Sequence, residues 1–312
     1  MRIVAEHLSY TYNERSPFET AALHDVTLTI EEGEFFGIIG HTGSGKSTFV
    51  QHLNGLIRLP SSLKHAKKRK AKKGQPLPPA PVLKVGDFDL SDKKTDFRAL
   101  RRRVGMVFQY PEYQLFAETV RDDVAFGLKN FSEQKLTEEE VDCAVRAALD
   151  VVGLNFDELK DQSPFELSGG QKRRVAIAGV IVSRPEILIL DEPAAGLDPL
   201  GKKEILELLH RLHREWCRTV VIVSHDMDEI SENCTRAAVF SEGTVKYVLP
   251  PRELFRRTEE LTALGLDVPL TAKLCAALKA RGITIDCDFT TEDFADKVLA
   301  YAASHPKKEG DA

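Results

Sequence analysis

The sequence predicts an α/β fold with a largely parallel sheet at its centre, and two observations carry this prediction. Four short apolar runs, rich in β-branched or aromatic residues, have the length and the flanking turn signals of buried strands. They are Phe35–Ile39, Val104–Phe108, Ile187–Leu190 and Thr219–Val223. Amphipathic helical patterns lie between them, and strands that alternate with helices are typical of a sheet covered on both faces.

The clearest helical pattern runs over Glu138–Val152, where apolar residues recur at intervals of three and four. Gly201–Arg214 follows the same pattern, and helices are also predicted over Ser47–Leu56 and Gln171–Ser183. These elements and the four strands predict a core domain over residues 1–249.

The tail, residues 250–312, predicts a small appended domain of short helices. One helix is expected near Arg252–Leu264 and a second from Pro269. A third should begin after Thr290, whose hydroxyl can cap a helix in the pattern Thr290-x-x-Asp293.

The composition is that of a globular protein with a sizeable core. The 312 residues are 42% hydrophobic and 29% charged, with a net charge of −5. Such a chain is not built mainly to coat nucleic acid, which requires a basic surface. No apolar run approaches the ~18–20 residues that cross a bilayer, and the first residues lack the apolar core of a secretory signal. The five scattered cysteines predict reduced thiols, with neither a disulfide framework nor a zinc site.

One segment, Pro60–Pro81, departs from this composition. It holds seven Lys or Arg residues, no acid and five of the fifteen prolines, which predicts a mobile loop. It is either a solvated charged loop or a contact with anionic lipid headgroups, worth ~1 kcal/mol per basic residue near the surface.

A glycine-rich segment between a strand and a helix predicts a site for a nucleoside triphosphate. Its residues are Gly40, His41, Thr42, Gly43, Ser44, Gly45, Lys46 and Ser47, followed by Thr48. The pattern G-x-x-x-x-G-K-[ST] turns backbone N–H groups and a helix N-terminus towards one anion. Lys46 is expected to reach the outer phosphates, and the Ser47 hydroxyl is a ligand for Mg²⁺.

Two acids follow the strand Ile187–Leu190. A buried strand that ends in Asp191 and Glu192 places charge at the carboxyl edge of the sheet, where ligands sit in open α/β folds. We expect Asp191 to hold Mg²⁺ through water and Glu192 to act as the general base on the attacking water. The alternative is that these two acids form an ordinary acidic junction between a strand and a loop. The phosphate-binding pattern in the same chain makes this alternative weaker.

The segment Leu167–Gln171, Leu-Ser-Gly-Gly-Gln, precedes a predicted helix and so predicts a further anion cradle, formed by Ser168 with Gly169 and Gly170. With these motifs the chain resembles the nucleotide-binding subunits of ABC transporters. The resemblance implies an ATPase-type mixed sheet with an antiparallel β-subdomain and a helical subdomain at about 110–182. It also implies that this segment, including Gln171, binds the γ-phosphate held on the opposite subunit of a head-to-tail pair.

The resemblance assigns roles to four more residues. Gln109 matches the glutamine that contacts Mg²⁺ and water, and Asp198, in Gly196–Pro199, matches the residue that couples the two sites of the dimer. His225 matches the switch histidine that contacts the γ-phosphate. Tyr12 matches the aromatic residue that stacks on adenine, with Tyr10 as the competing choice.

The phosphate-binding segment and Val104–Phe116 narrow the resemblance to the ATPases of energy-coupling factor transporters, closest to the second of their two paralogues. This implies ATP and Mg²⁺ as cofactors and a peripheral place on the cytoplasmic face of the membrane. Implied partners are a second ATPase, a transmembrane scaffold and a membrane protein that binds a vitamin or a transition-metal ion. Ala194 departs from the family, which usually has Thr there.

Three alternatives are compatible with the nucleotide motifs alone. A DNA-repair ABC ATPase usually splits them with a long coiled coil, for which Gln171–Asp191 leaves no room. A ribosome-associated ABC protein carries two cassettes, and one is found here. An ATPase-silent structural subunit would lack the base or the histidine, and both are present.

Overall fold

A computed structural model of the protein describes residues 1–14, 16–59, 80–132 and 134–305. The predicted basic loop 60–81 therefore lies outside the described residues, apart from Ala80 and Pro81, which lead into a strand. Within the described ranges, no helix combines the length and the apolar character that a membrane crossing requires.

Two sheets organise the first 249 residues. The strands are β1 (Ile3–Tyr12), β2 (Thr20–Ile30), β3 (Phe35–Ile39), β4 (Val82–Val85), β5 (Phe88–Asp89), β6 (Val104–Val107), β7 (Ile187–Asp191), β8 (Thr219–Val223), β9 (Arg236–Ser241) and β10 (Thr244–Leu249). The smaller sheet is antiparallel, in the order β2-β1-β4-β5. The larger sheet has the order β10-β9-β3-β8-β7-β6 and is parallel except at β10.

Helices follow most of these strands. They are α1 (Lys46–Leu53), α2 (Phe97–Arg103), α3 (Val120–Phe131), α4 (Glu138–Val151), α5 (Phe156–Leu159), α6 (Gly169–Ile181), α7 (Pro199–Glu215), α8 (Met227–Asn233), α9 (Pro251–Phe255), α10 (Thr258–Ala263), α11 (Leu270–Lys279) and α12 (Thr291–Ser304). Short 3₁₀ turns lie at Pro111–Gln114 and Pro164–Glu166.

Successive side chains of a strand point to opposite faces of the sheet, and the parallel strands are buried on both faces. Phe35 packs into a core with the helices α3 to α8, whereas Phe36 packs into a second core with α1 and the antiparallel sheet. Every residue of β3, β7 and β8 is buried, which explains why these strands are apolar except for Asp191 and Thr219 at their ends.

The predicted α/β fold is confirmed, and all four predicted strands are present. Val104–Phe108 ends one residue early, at Val107, and Ile187–Leu190 extends to Asp191. The helix expected over Gly201–Arg214 begins at Pro199, because Asp198 caps it and proline suits a first helical position.

In the tail, the single helix predicted near Arg252–Leu264 is wrong. The chain forms α9 and α10 instead, and it turns between them at Arg257, whose backbone leaves the helical region (φ −88°, ψ 40°). The Thr258 hydroxyl donates to the Phe255 carbonyl at 3.0 Å across this turn. The helix after Pro269 is present, and Thr290 caps α12 by accepting from the Asp293 amide.

Candidate functional site

The loop between β3 and α1, Gly40–Ser47, is shaped by its glycines. Gly40 and Gly45 have φ of 155° and 101°, in the left-handed half of backbone space. A Cβ added to Gly40 would lie 2.4 Å from the Phe240 carbonyl oxygen, and one added to Gly45 would lie 2.6 Å from the Ala22 carbonyl oxygen. Both contacts are closer than real Cβ atoms allow, so the loop requires glycine at these two positions.

Lys46 is folded back against this loop. Its side chain is buried, with the residue 8% exposed, and its ammonium donates to the Gly40 carbonyl at 2.7 Å and the His41 carbonyl at 3.0 Å. Burial lowers the pKa of Lys46, and the nearby Glu192 and Asp191 carboxylates oppose that shift. The loop therefore holds the Lys46 ammonium against its own backbone carbonyls.

Asp191 stands at the end of β7, where it accepts a hydrogen bond from the Ser47 side chain. Burial raises the pKa of Asp191, Ser47 opposes that shift, and the Glu192 charge adds to it. This pairs the hydroxyl and the carboxylate that the sequence predicts as magnesium ligands.

Glu192 occupies an unusual backbone conformation, with φ of 52°. Its amide donates to the Val223 carbonyl at 2.9 Å, which fixes the turn to the end of β8. Its carboxylate accepts from the Gln109 side chain at 2.8 Å and lies 3.4 Å from Nδ1 of His225. Three residues predicted from separate strand ends are thus brought together by the sheet order β8-β7-β6.

A cavity of about 900 Å³ opens over this cluster. Residues predicted from the sequence that line it are Tyr12, Gly40, His41, Thr42, Gly43, Gly45, Lys46, Ser47, Thr48, Gln109, Asp191, Glu192 and His225. Sequence reasoning did not identify Thr20, Ala21, Ala22, Met227, Gly265, Leu266 and Asp267, which line it as well. Thr20 pairs with Tyr12 in the hairpin β1–β2, so its place at the cavity follows from that of Tyr12.

The two candidate tyrosines face different surroundings. The Tyr12 hydroxyl hydrogen-bonds to Oγ1 of Thr48 at 3.1 Å, and Tyr12 lines the cavity. Tyr10 is not among the described residues that line it. Its ring meets His52 edge-on, with centroids 4.8 Å apart. The geometry therefore favours Tyr12 as the residue available to a base.

Ser44 is the member of the loop that points inward. It is fully buried and does not line the cavity, and its hydroxyl finds no hydrogen-bond partner among the described residues. Its backbone closes the loop, since Ser44 N–H donates to the His41 carbonyl at 3.2 Å.

The signature segment, Leu167–Gln171, lies apart from this cavity, none of whose lining residues belongs to it. Ser168 caps α6 by accepting from the Gln171 amide at 3.3 Å, while the Gln171 side chain accepts from the Ser168 amide at 3.0 Å. A Cβ added to Gly169 or Gly170 would meet nothing within 4 Å. The segment is therefore an exposed helix start whose glycines have open space in front of them.

Asp198 caps α7, accepting from the Gly201 amide at 2.8 Å. One turn later, Lys202 is hydrogen-bonded to Asp226, the residue that follows His225 and caps α8. This ion pair links the loop of the predicted dimer-coupling residue to the loop of the histidine.

Arg173, on α6, is buried at 3% exposure. Its guanidinium donates two hydrogen bonds of 3.0 Å to the Ala195 carbonyl, three residues after Glu192, and one of 3.2 Å to Glu112, three residues after Gln109. The helix that carries the signature segment is thereby joined to both loops of the acidic cluster.

The residues present fit a magnesium–nucleotide complex. Eight of the described α-helices have a side-chain N-cap, whereas α1 follows Gly45 without one, and Gly45, Lys46 and Ser47 at its start line the cavity. The buried ammonium of Lys46 suits phosphate oxygens, and the Ser47 hydroxyl with the Asp191 carboxylate supplies the oxygen ligands that Mg²⁺ prefers.

Known proteins resemble this chain in sequence and in fold. The ABC transporter family model matches residues 23–195. The energy-coupling factor transporter ATP-binding protein EcfA2 of Symbiobacterium thermophilum is 49% identical over 95% of this chain and 94% of its own length. The protein of the same name from Caldanaerobacter subterraneus is 45% identical over 96% of this chain and 98% of its own length.

Solved structures share the fold. The structure of cbiO1 from Clostridium perfringens, part of the ABC transporter complex cbiONQ, superposes with a TM-score of 0.66 at 35% identity and covers 87% of this chain and 97% of its own. A dimeric ATP-binding cassette in a post-hydrolysis state, bound to ADP and phosphate, gives a TM-score of 0.66 at 27% identity over 80% of this chain and 99% of its own. The chain belongs to the ABC transporter family and, within it, to the ATP-binding proteins of energy-coupling factor transporters.

Proposed function

We propose that this chain is the ATP-hydrolysing subunit of an energy-coupling factor importer, in which ATP turnover powers uptake of a vitamin or a transition-metal ion. The single observation that carries the catalytic part is the contact of Gln109, Glu192 and His225 above the phosphate loop. A structural subunit without activity has no need to bring these three side chains together.

Each predicted residue has a task that its position supports. Lys46 neutralises the outer phosphates from inside the loop, and Tyr12 stacks on the adenine ring. Glu192, held by Gln109, takes a proton from the attacking water as general base. His225, whose side chain is 71% exposed, is free to donate to the transferring phosphoryl group, where charge develops.

Magnesium, held by Ser47 and Asp191 with Gln109 nearby, would supply positive charge to the phosphate oxygens. The chain's own contribution is to fix those ligands. The hydrogen bond from Ser47 keeps the hydroxyl beside the carboxylate, and burial of Asp191 keeps that carboxylate at the end of β7.

A second ATPase chain completes the site. In this proposal Ser168, Gly169, Gly170 and Gln171 of one chain close over the phosphate loop of the other, and Asp198 lies between the two sites. The distance of the signature segment from its own cavity supports this arrangement, since no residue of that segment lines the cavity. The segment Gln109–Phe116 favours a heterodimer of two different ATPases.

The remaining partners are membrane proteins. We propose a transmembrane scaffold that docks near Gln109 and a separate membrane subunit that binds the substrate, so that this chain sits peripherally on the cytoplasmic face. The basic segment 60–81 is either a solvated charged loop or a contact with anionic lipid in this arrangement.

Affinity purification from membranes tests the proposal. The full chain carrying a tag is extracted in mild detergent, and the co-purifying proteins are identified by mass spectrometry. A second ATPase with a multi-span scaffold is the expected result. Nucleic acid or ribosomal proteins in place of a membrane protein would overturn it.

A further inference from the structure

The C-terminal extension, residues 250–305, reaches the nucleotide cavity. Gly265, Leu266 and Asp267, the turn between α10 and α11, line the same cavity as Lys46 and Glu192. We refer to Gly265–Asp267 as the wall turn. None of the nucleotide motifs lies in this part of the sequence, and the family model stops at residue 195.

Three hydrogen bonds join the extension to the short helix α8. The Leu270 amide donates to Asp228 at 2.8 Å, and the Thr291 amide donates to Glu232 at 2.6 Å. The Ser231 hydroxyl donates to the Phe289 carbonyl at 2.9 Å. These bonds tie the start of α11, the start of α12 and the segment between them to a helix that begins two residues after His225.

The wall turn is held close to this anchored unit. Asp267 is three residues from Leu270, so the backbone allows at most ~10 Å between the wall turn and the bond to Asp228. The Thr271 hydroxyl also donates to the Phe289 carbonyl, at 2.6 Å, which locks α11 to the same point as Ser231. Lys273 holds the Asp267 carboxylate at 2.7 Å, and the Val268 amide donates to it at 2.8 Å.

We propose that the extension forms a wall of the ATP site and responds to nucleotide. In this proposal the wall turn contacts bound nucleotide. Asp228 is the positioning residue that links this contact to the helix after His225. The inference rests on the proposed function, since it requires that the cavity take ATP. It assigns the extension a part in the ATP site itself, in addition to any contact with other subunits.

The hydrogen bond from Leu270 to Asp228 offers a matched pair of variants. Asp228 is exposed, so its substitution leaves the core intact. Asp228→Ala removes the accepting oxygen, whereas Asp228→Asn keeps an oxygen at the same place and removes only the charge. A purely electrostatic effect would be the same in both variants, because both remove the charge.

Hydrogen exchange by mass spectrometry on the full chain tests the proposal. The chain carries Glu192→Gln to block turnover and is compared alone, with Mg-ADP and with Mg-ATP. We expect nucleotide to slow exchange in residues 40–53 and, several-fold, in residues 261–273. Asp228→Ala should lose the second protection, and Asp228→Asn should keep it.

Two controls separate the possible failures. If a titration shows ATP binding and residues 40–53 become protected while 261–273 do not, the wall is wrong and the proposed function stands. If ATP does not bind at all, both are wrong. Light scattering on the same samples reports dimerisation, and protection of 261–273 that appears only in dimers would assign it to a second chain and overturn the wall.

Discussion

Two glycine-rich segments of this chain meet opposite structural demands. In the phosphate loop, Gly40 and Gly45 have positive φ, and an added Cβ would collide with the backbone of Phe240 or Ala22. In the signature segment, Gly169 and Gly170 begin a helix, have ordinary φ, and would accept a Cβ without meeting any atom within 4 Å. The first pair is required by the chain's own fold, and the second pair is not.

Glycine in the first turn of a helix, where nothing in the fold requires it, costs stability relative to alanine, by roughly 0.5–1 kcal/mol in helix interiors. In the proposed function, the reason for two such residues lies outside the chain's own fold, in the close approach of a ligand or a partner. The contrast therefore supports a phosphate loop that is complete within the chain and a signature segment that is open to a second molecule. The following predictions test each side.

The largest effect should come from Glu192→Gln. Loss of a general base lowers turnover by about 10²–10⁴-fold, while ATP binding stays because Lys46 and the loop are unchanged. We expect the variant, together with its partner ATPase, to accumulate as an ATP-bound dimer, measured by phosphate release and by light scattering. Glu242→Gln is the matched control, since Glu242 also has positive φ, at 50°, and lies outside the cavity. Normal turnover of Glu192→Gln would remove Glu192 as the base.

Lys46→Ala should weaken ATP binding itself. A charge-assisted hydrogen bond contributes about 1.5–3 kcal/mol, so affinity should fall by roughly 10–150-fold. Isothermal titration of the isolated chain with ATP measures this, and Lys84→Ala, an exposed lysine on β4, serves as the control. An unchanged dissociation constant would contradict the role given to Lys46.

Gly170→Ala should separate stability from activity. Helix propensity predicts a gain of up to about 1 kcal/mol in the unfolding free energy of the isolated chain, together with lower ATPase activity of the assembled complex. Gly45→Ala should lower both, because its Cβ meets the Ala22 carbonyl. Urea unfolding and ATPase assays measure the two quantities. Full activity of Gly170→Ala would mean that nothing approaches the signature segment closely.

The smallest effect should be a pH-dependent gain in stability from Asp191→Asn. Burial raises the native pKa of Asp191 above its ordinary value of 3.8, so the native state holds this proton more tightly than the unfolded chain does. Stability is therefore lost as pH rises from 3.8 through the raised native pKa, and asparagine removes that loss. The variant should be more stable than the parent at pH 7, and the difference should shrink as pH falls towards 3.8. Urea midpoints across this range provide the measurement.

Much of the fold was predictable because its signals are local. The runs at β3, β7 and β8 are apolar except for the terminal Asp191 and Thr219, and the motif around Lys46 has a fixed spacing between strand and helix. The place of Glu192 at the carboxyl edge of the sheet also followed from the strand that precedes it, whereas His225 was assigned only through the resemblance.

The rest depends on contacts that no local pattern encodes. The inward turn of Ser44 follows from the close packing of the loop against β9, and the left-handed backbone of Glu192 follows from its bond to Val223. The wall turn reaches the cavity from more than 200 residues beyond Lys46, and Gly-Leu-Asp alone has no functional spacing. The break between α9 and α10 was missed because Arg256 and Arg257 are good helix formers.

The buried guanidinium of Arg173 has a kinetic consequence. It bonds the signature helix to the turn after Glu192 and to the 3₁₀ turn after Gln109, so a tilt of that helix changes the catalytic loops of its own chain. In the proposed pair, nucleotide on the partner's phosphate loop would bind Ser168, and Arg173 would pass the resulting movement of α6 to the Gln109 and Glu192 loops of its own chain. The two ATP sites of a pair should therefore hydrolyse ATP cooperatively, with a Hill coefficient above one for ATP.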